Sequence, residues 1–268
     1  MNQIEIFKNS ITVLDTETTN LLPESCEIVE VAGTTWDGRW RTKSTLLGAQ
    51  NGIPAEASAK NNISNRLIAN LPTFKNDISN IKVILNWPSS KWYIAHNAEY
   101  DRTALKHAFS QATDIALCED QSRWICTWRL SKQILKHEFN DIQYGLNYLR
   151  YKLDLQIDDN IGVHRAAADT LVTATLLDKL IEIAIRNNQV NPAENIGIQL
   201  NKLCLDNILV KIWPFGKKHR GQLLEELDND YFLWALKNLP QLDESNSLYD
   251  ADLTESVRQL LEKRLDTE

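Results

Sequence analysis

The sequence predicts an α/β fold, a mixed five-stranded sheet flanked by helices and followed by a small α+β C-terminal module. Three observations carry this. Short apolar runs of strand length recur in the first part of the chain, two of them around the turn signal Trp-Asp-Gly. Strand-like and helix-like patterns then alternate as far as a long amphipathic segment, "AAADTLVTATLLDKLIEIAIRN". Past Arg186 the chain turns polar before a new set of aromatic residues begins.

The elements follow in order. Ile11–Leu14 reads as a strand. "EIVEVAGTTWDGRW" alternates apolar and polar residues around two strands, and "RTKSTLLG" continues as a third. The stretch from Pro54 to Asn86 carries Pro72 between helical patterns, so it holds at least two helices. "KWYIAHN" is a buried strand that ends on Asn97 as the cap of a helix starting near Ala98. "RWICTWRLSKQIL" is a strand turning into a helix, and "NDIQYGLNYLRYKL" is a short helix. In the long segment Leu171, Ala174, Leu177, Ile181 and Ala184 form one apolar stripe. "NNQVNPAENIG" reads as a linker and "PAENIGIQLNKL" as a short helix. "NILVKIWPFGKKHRGQLLEEL" reads as a strand, a Gly-bounded basic turn and a helix start, with two helices after it. The expected boundaries are a domain over 1–186, a linker with a short helix over 187–210, and a module over 211–268.

Charge and composition exclude some functions. With 29 Lys and Arg against 36 Asp and Glu, the net charge is −7. Bulk charge therefore cannot bind nucleic acid, and any such contact needs local basic patches or metal ions. Cys26, Cys118, Cys126 and Cys204 form no Cys-x-x-Cys pair and read as ordinary thiols of a reducing compartment. No secretory signal or membrane-spanning run stands out, so the expectation is a cytoplasmic protein without a membrane partner.

The chemistry starts at "LDTET". Side chains alternate along a strand, so Asp15 and Glu17 share a face. Like charges so placed raise each other's pKa, and a divalent cation relieves the repulsion. Asp101 lies in the first turn of the helix after Asn97, where the helix dipole alone would also explain it. Asp169 lies within the long helix, five residues after His164. That spacing puts the two about 140° apart on a helix, so His164 belongs to the entering loop. Asp15, Glu17, Asp101 and Asp169 are hard oxygen ligands that suit Mg²⁺ or Mn²⁺. Two such ions would stabilise the attacking and leaving oxygens of phosphodiester cleavage, with His164 as general base.

The order Asp-x-Glu, "AHNAEYD", His-x-x-x-x-Asp resembles the DEDDh, DnaQ-like family of 3′→5′ exonucleases, of the ribonuclease H-like superfamily, over roughly residues 10–185. "WYIAHNAEYDRTAL", "WICTWRLSKQI" and the tail segments "FGKKHRG" and "DNDYFLWALKNL" are similar to the bacterial exonuclease X group within it. The resemblance implies that Asp15, Glu17 and Asp169 bind the catalytic metal, that Asp101 supports a second metal partly through water, and that His164 is the base. It implies two Mg²⁺, with Mn²⁺ able to substitute. The partner is a nucleic acid with a free 3′ end, DNA before RNA, and a homodimer is open. An RNA 3′-end trimmer and a non-catalytic nucleic-acid-binding module are the alternatives.

Substrate contacts are expected from Thr16, Thr18 and Asn97 beside the metals, and from Leu21 or Leu22 as a wedge against the last base. In the tail Lys217, Lys218 and Arg220, with Lys211 and His219, would contact phosphates while Trp213 and Phe215 stack on bases. One departure concerns a His-x-Ile-Thr stretch common in the family. Here it is "KNNIS", with Asn62 placed at the His.

Overall fold

The structure is a computed structural model and describes residues 2–109, 115–136, 138–139, 143–157, 165–246 and 250–265. The chain divides into two compact units, Met1–Cys204 and Leu205–Glu268.

The first unit opens with α1 (Gln3–Lys8), β1 (Ile11–Thr18), β2 (Ile28–Trp36) and β3 (Trp40–Leu46), then α2 (Ala55–Asn61), α3 (Asn65–Ile68) and α4 (Ile78–Ile84). It continues with β4 (Trp92–Ala95), α5 (Ala98–Phe109), α6 (Ala116–Glu119), β5 (Trp124–Cys126), α7 (Thr127–Leu135), α8 (Leu146–Lys152), α9 (Ala166–Arg186) and α10 (Ile196–Leu205). The sheet order is β3-β2-β1-β4-β5. The β1, β2 and β3 strands are antiparallel, whereas β4 runs parallel to β1 and β5 parallel to β4. This is the mixed five-stranded sheet flanked by helices that the pattern predicts, ribonuclease H-like in its arrangement.

Strand alternation sorts β1 between two cores. Ile11 and Val13 join the cluster with Leu176, Leu177 and Leu180 of α9, while Leu14 joins the cluster with Leu105 and Phe109 of α5. By the same period Asp15 and Glu17 belong to the α9 face, and Thr16 to the α5 face. The parallel pairing with β4 covers only Ile11 to Val13, so β1 continues beyond it toward Thr18 with that edge open. The site lies at this edge.

Two expectations about connections change. The first unit extends past residue 186: Val190, Ile196, Leu200 and Cys204 are buried in the same core as α9, so the polar linker is packed. Asn97 takes φ +67, the left-handed region, rather than the extended backbone of a capping residue. Its carbonyl accepts from the Tyr100 N–H.

In the second unit the strand expected before the basic turn is a single antiparallel bridge, Ile212 to Leu223. The module is therefore helical among the described residues, with α11 (Asn229–Asn238), α12 (Ala251–Leu265) and short 3₁₀ turns. It has its own core of Trp213, Leu224, Leu227, Phe232, Ala235, Leu242, Leu253 and Val257. Trp213 is 0% exposed. It cannot stack on a base as the sequence suggests, because its ring fills this core and meets Tyr231 edge-on at 5.2 Å. Phe215 packs against the same cluster.

Among the described residues no helix is long and apolar enough to cross a membrane. All four cysteines are free.

Candidate active site

Asp15 and Glu17 project from β1 toward the first turn of α9, which carries Asp169. Carboxylate oxygens of these three residues lie within 4.8 Å of one another. Their electrostatics are those of a crowded acidic site. Burial, and then the charges of Asp101, Asp169, Glu17 and Glu30, hold the Asp15 carboxyl well above its ordinary range. Burial and the charges of Asp169, Glu30 and Asp101 push Glu17 up to about 7, while Lys60 acts in the opposite sense. A cluster that resists ionisation by itself gains most from a divalent cation, and three convergent oxygen donors suit a hard one. The residues present fit a divalent metal ion.

Asp101 is buried and sits differently. Its Oδ1 accepts from the Thr16 N–H at 2.9 Å and from the Thr16 hydroxyl at 2.8 Å. Burial raises Asp101 to about 7 even against those two hydrogen bonds. The open edge of β1 explains the contact: the Thr16 N–H lies beyond the paired part of β4 and takes a carboxylate instead of a strand carbonyl. The Thr16 N–H, expected to bind the terminal nucleotide, is thus already committed to Asp101.

The four carboxylates line one cleft of about 830 Å³. Its wall includes Thr16, Thr18, Leu21 and Asn97, as the sequence suggests. Leu21 is 75% exposed on this wall. Leu22 is exposed too but does not line the cleft. Thr18 is tied to the Tyr100 hydroxyl, and both hydroxyls contact the Asn20 carbonyl. His164 lies outside the described residues.

Several residues of the site escape the sequence reading. Glu30 stands opposite Glu17 in the β1–β2 register and is 1% exposed. Directly opposed residues share a sheet face, so two carboxylates again meet. Arg165 answers Glu30 with two hydrogen bonds, Nε to Oε2 at 2.9 Å and Nη2 to Oε1 at 3.1 Å. The Ala166 N–H also donates to Glu30 Oε2. Glu30 thereby satisfies a free N–H at the start of α9 and fixes the helix that carries Asp169. Asn61, not Asn62, lines the cleft; Asn62 ends α2 at φ +58. Lys60 is the one Lys or Arg among the described residues on the cleft wall.

His96 also lines the cleft, but its nitrogens are occupied. Nε2 donates to the Tyr144 carbonyl at 2.9 Å, and Nδ1 accepts from the Thr127 hydroxyl at 2.9 Å. Burial lowers its pKa to about 4, so it is a neutral strut at physiological pH.

An α/β sheet of this order, with three carboxylates converging at the open end of its central strand, defines the DnaQ-like nuclease class. The chain belongs to the exonuclease family, whose sequence profile matches residues 12–177. It is a 3′→5′ exonuclease, a hydrolase of phosphodiester bonds.

Among its relatives, Exodeoxyribonuclease 10 of Escherichia coli K12 is 28% identical over 238 residues, covering 87% of this chain and 93% of the relative. The DNA polymerase III subunit epsilon of Treponema pallidum is 26% identical over 197 residues, 71% of this chain and 86% of the relative. Among solved structures, exonuclease X in complex with 5′-overhanging duplex DNA is 26% identical, with a TM-score of 0.52, covering 72% of this chain and 99% of that one. Exonuclease I of E. coli with a dT13 oligonucleotide, 12% identical, shares the fold with a TM-score of 0.55 over 66% of this chain and 42% of its own.

Proposed function

We infer that the protein shortens DNA from its 3′ end, one nucleotide at a time, in end processing or repair, using Mg²⁺ with Mn²⁺ able to substitute. The observation that carries this reading is the convergence of Asp15, Glu17 and Asp169 in an open cleft, with Asp101 behind them. Relatives that are named for DNA, or were solved bound to it, favour DNA over RNA.

Asp15, Glu17 and Asp169 would hold one cation, and with Asp101 acting through water a second. Bound there, two such cations supply stabilisation of the attacking and leaving oxygens in an in-line displacement. The protein's own groups do the rest. Thr16 holds Asp101 in place through two donors. Arg165 and Glu30 hold the first turn of α9, and so Asp169, against β2. His164, next to Arg165 in sequence, would take the proton of the attacking water. Leu21 would meet the terminal base, with Thr18 and Asn97 along the adjoining wall.

The test is digestion of matched end-labelled single- and double-stranded DNA and RNA, with Mg²⁺ or with EDTA. DNA should be degraded faster than RNA, and EDTA should stop both. Faster RNA trimming would replace the DNA reading with the exoribonuclease alternative.

A further inference from the structure

The second unit carries a surface that the chemistry of the cleft does not use. The turn between Trp213 and Leu224 is built to hold its shape. The Trp213 N–H donates to Gln222 O, Gly221 N–H to Trp213 O and Leu224 N–H to Lys211 O. Gly216 at φ +73 and Gly221 at φ +88 take backbone angles that other residues rarely adopt. The turn exposes Lys217, Lys218 and Arg220, and none of the three has an ion-pair partner among the described residues. In an acidic chain this is a concentration of unpaired positive charge.

The same turn carries one end of an aromatic row. The His219 ring lies on Tyr231 at 4.3 Å, and its Nδ1 donates to the Gln222 side-chain oxygen at 2.7 Å, which fixes its orientation. Tyr231 in turn stacks on Trp234 at 5.7 Å and 24°. Tyr231, Trp234 and the exposed Lys237 follow one another at three-residue spacing along α11. Asp228, at the start of that helix, is occupied in capping the Tyr231 N–H. Trp234 is 50% exposed, beside Leu233 at 58%, on the side of α11 opposite buried Phe232 and Ala235. A half-exposed Trp at the end of a fixed stack, on the same module as exposed cations, offers an open ring face to a base and charge to phosphates.

We propose that His219, Tyr231 and Trp234, with Lys217, Lys218 and Arg220, form a second nucleic-acid site that takes single-stranded nucleic acid. A base stacks on the outer face of Trp234, the end of the row that Tyr231 and His219 hold in place, and phosphates lie against the turn. A duplex keeps its bases in the helix and cannot use the row, so single strands are selected. The exonuclease reading bears on this only as the reason for nucleic acid on this protein.

The test uses the full-length protein in EDTA, where the strand stays intact, and measures affinity for fluorescein-labelled dT30 and for a blunt 30-base-pair duplex. Trp234→Ala should weaken dT30 binding about tenfold or more and leave the duplex unaffected, whereas Trp234→Phe should retain most of the affinity. The combined Lys217→Ala, Lys218→Ala and Arg220→Ala variant should lower the salt slope by about 2, at roughly 0.7 per phosphate on a single strand. Both variants should hydrolyse the p-nitrophenyl ester of thymidine 5′-monophosphate with Mg²⁺ as the wild type does. Unchanged dT30 affinity in Trp234→Ala, or an equal loss on duplex, overturns the proposal. A wild type that binds dT30 through this row but hydrolyses no ester would overturn the exonuclease reading and leave the second site standing.

Discussion

The two units treat charge in opposite ways. In the first, Asp15, Glu17, Asp101 and Asp169 are brought together, and burial with the charges of neighbouring carboxylates makes Asp15 and Glu17 harder to ionise, while burial alone does so for Asp101. In the second, Lys217, Lys218 and Arg220 stand on an exposed turn, and only the backbone beneath them is fixed. The difference teaches what each task demands. Converging carboxylates repel, so the fold must hold them with other groups, such as Thr16 on Asp101 and Arg165 on Glu30. A surface that binds phosphates needs its cations unpaired, and scaffolding them with acids would defeat it.

The largest expected effect would break this contrast if it failed. Glu17→Gln and Asp169→Asn should each lower ester hydrolysis by at least ~10³-fold, on the order of a lost metal-ion contribution to the transition state. The same variants should bind dT30 in EDTA like the wild type. Parallel loss of both in a folded variant would mean that the two regions do not act separately. Next, His164→Ala should slow the chemical step by ~10²–10⁴-fold, the range for a lost general base, while Mn²⁺ affinity measured by calorimetry is kept. An equal fall in Mn²⁺ affinity would make His164 a ligand.

The scaffold comes third. Arg165→Ala leaves the Glu30 carboxylate buried without its cation and should destabilise the first unit by about 2–4 kcal/mol. The loss stays below the full cost of a broken buried pair because water reaches the Arg165 side chain, which is 38% exposed. Urea unfolding measures it, and a loss under about 0.5 kcal/mol would show the pair to be incidental. Removing Lys217 by mutation to Ala should cost almost nothing by the same assay, since it supports no buried group.

The smallest effect is a pH dependence. His96 has its folded pKa lowered to about 4 from an ordinary value near 6.5. The unfolded chain therefore takes up a proton that the folded chain refuses as pH falls below 6.5. The stability that His96 contributes is complete above that pH and is lost as pH falls toward 4. The gap in Tm between the wild type and His96→Gln should narrow from pH 7.5 to pH 5. A constant gap would mean that His96 titrates normally.

How much of this was legible in the sequence follows from the range of each interaction. Asp15 and Glu17 are two residues apart on a strand, and Asp101 and Asp169 each follow a readable helix start, so the carboxylates could be found from local pattern and order. The sheet was legible for the same reason, through its alternating runs and the Trp-Asp-Gly turn. The Glu30–Arg165 pair joins residues 135 positions apart and has no local signature. Aromatic composition marked the tail but could not say which rings turn inward. Trp213 lies in the core and Trp234 at the surface, a choice set by the packing of α11 and α12. The polar stretch after Arg186 looked like a linker because its anchoring residues, Val190 and Ile196, are isolated apolar side chains in a polar run.

The most direct test of the central claim is a time course on 5′-labelled single-stranded DNA. It uses the wild type with Mg²⁺, the wild type with excess EDTA, and Asp15→Asn with Mg²⁺. The account predicts a ladder of labelled fragments that shortens from the 3′ end in the first reaction and intact DNA in the other two. Undiminished cleavage in EDTA or by Asp15→Asn, or immediate release of the labelled 5′ nucleotide, would contradict it.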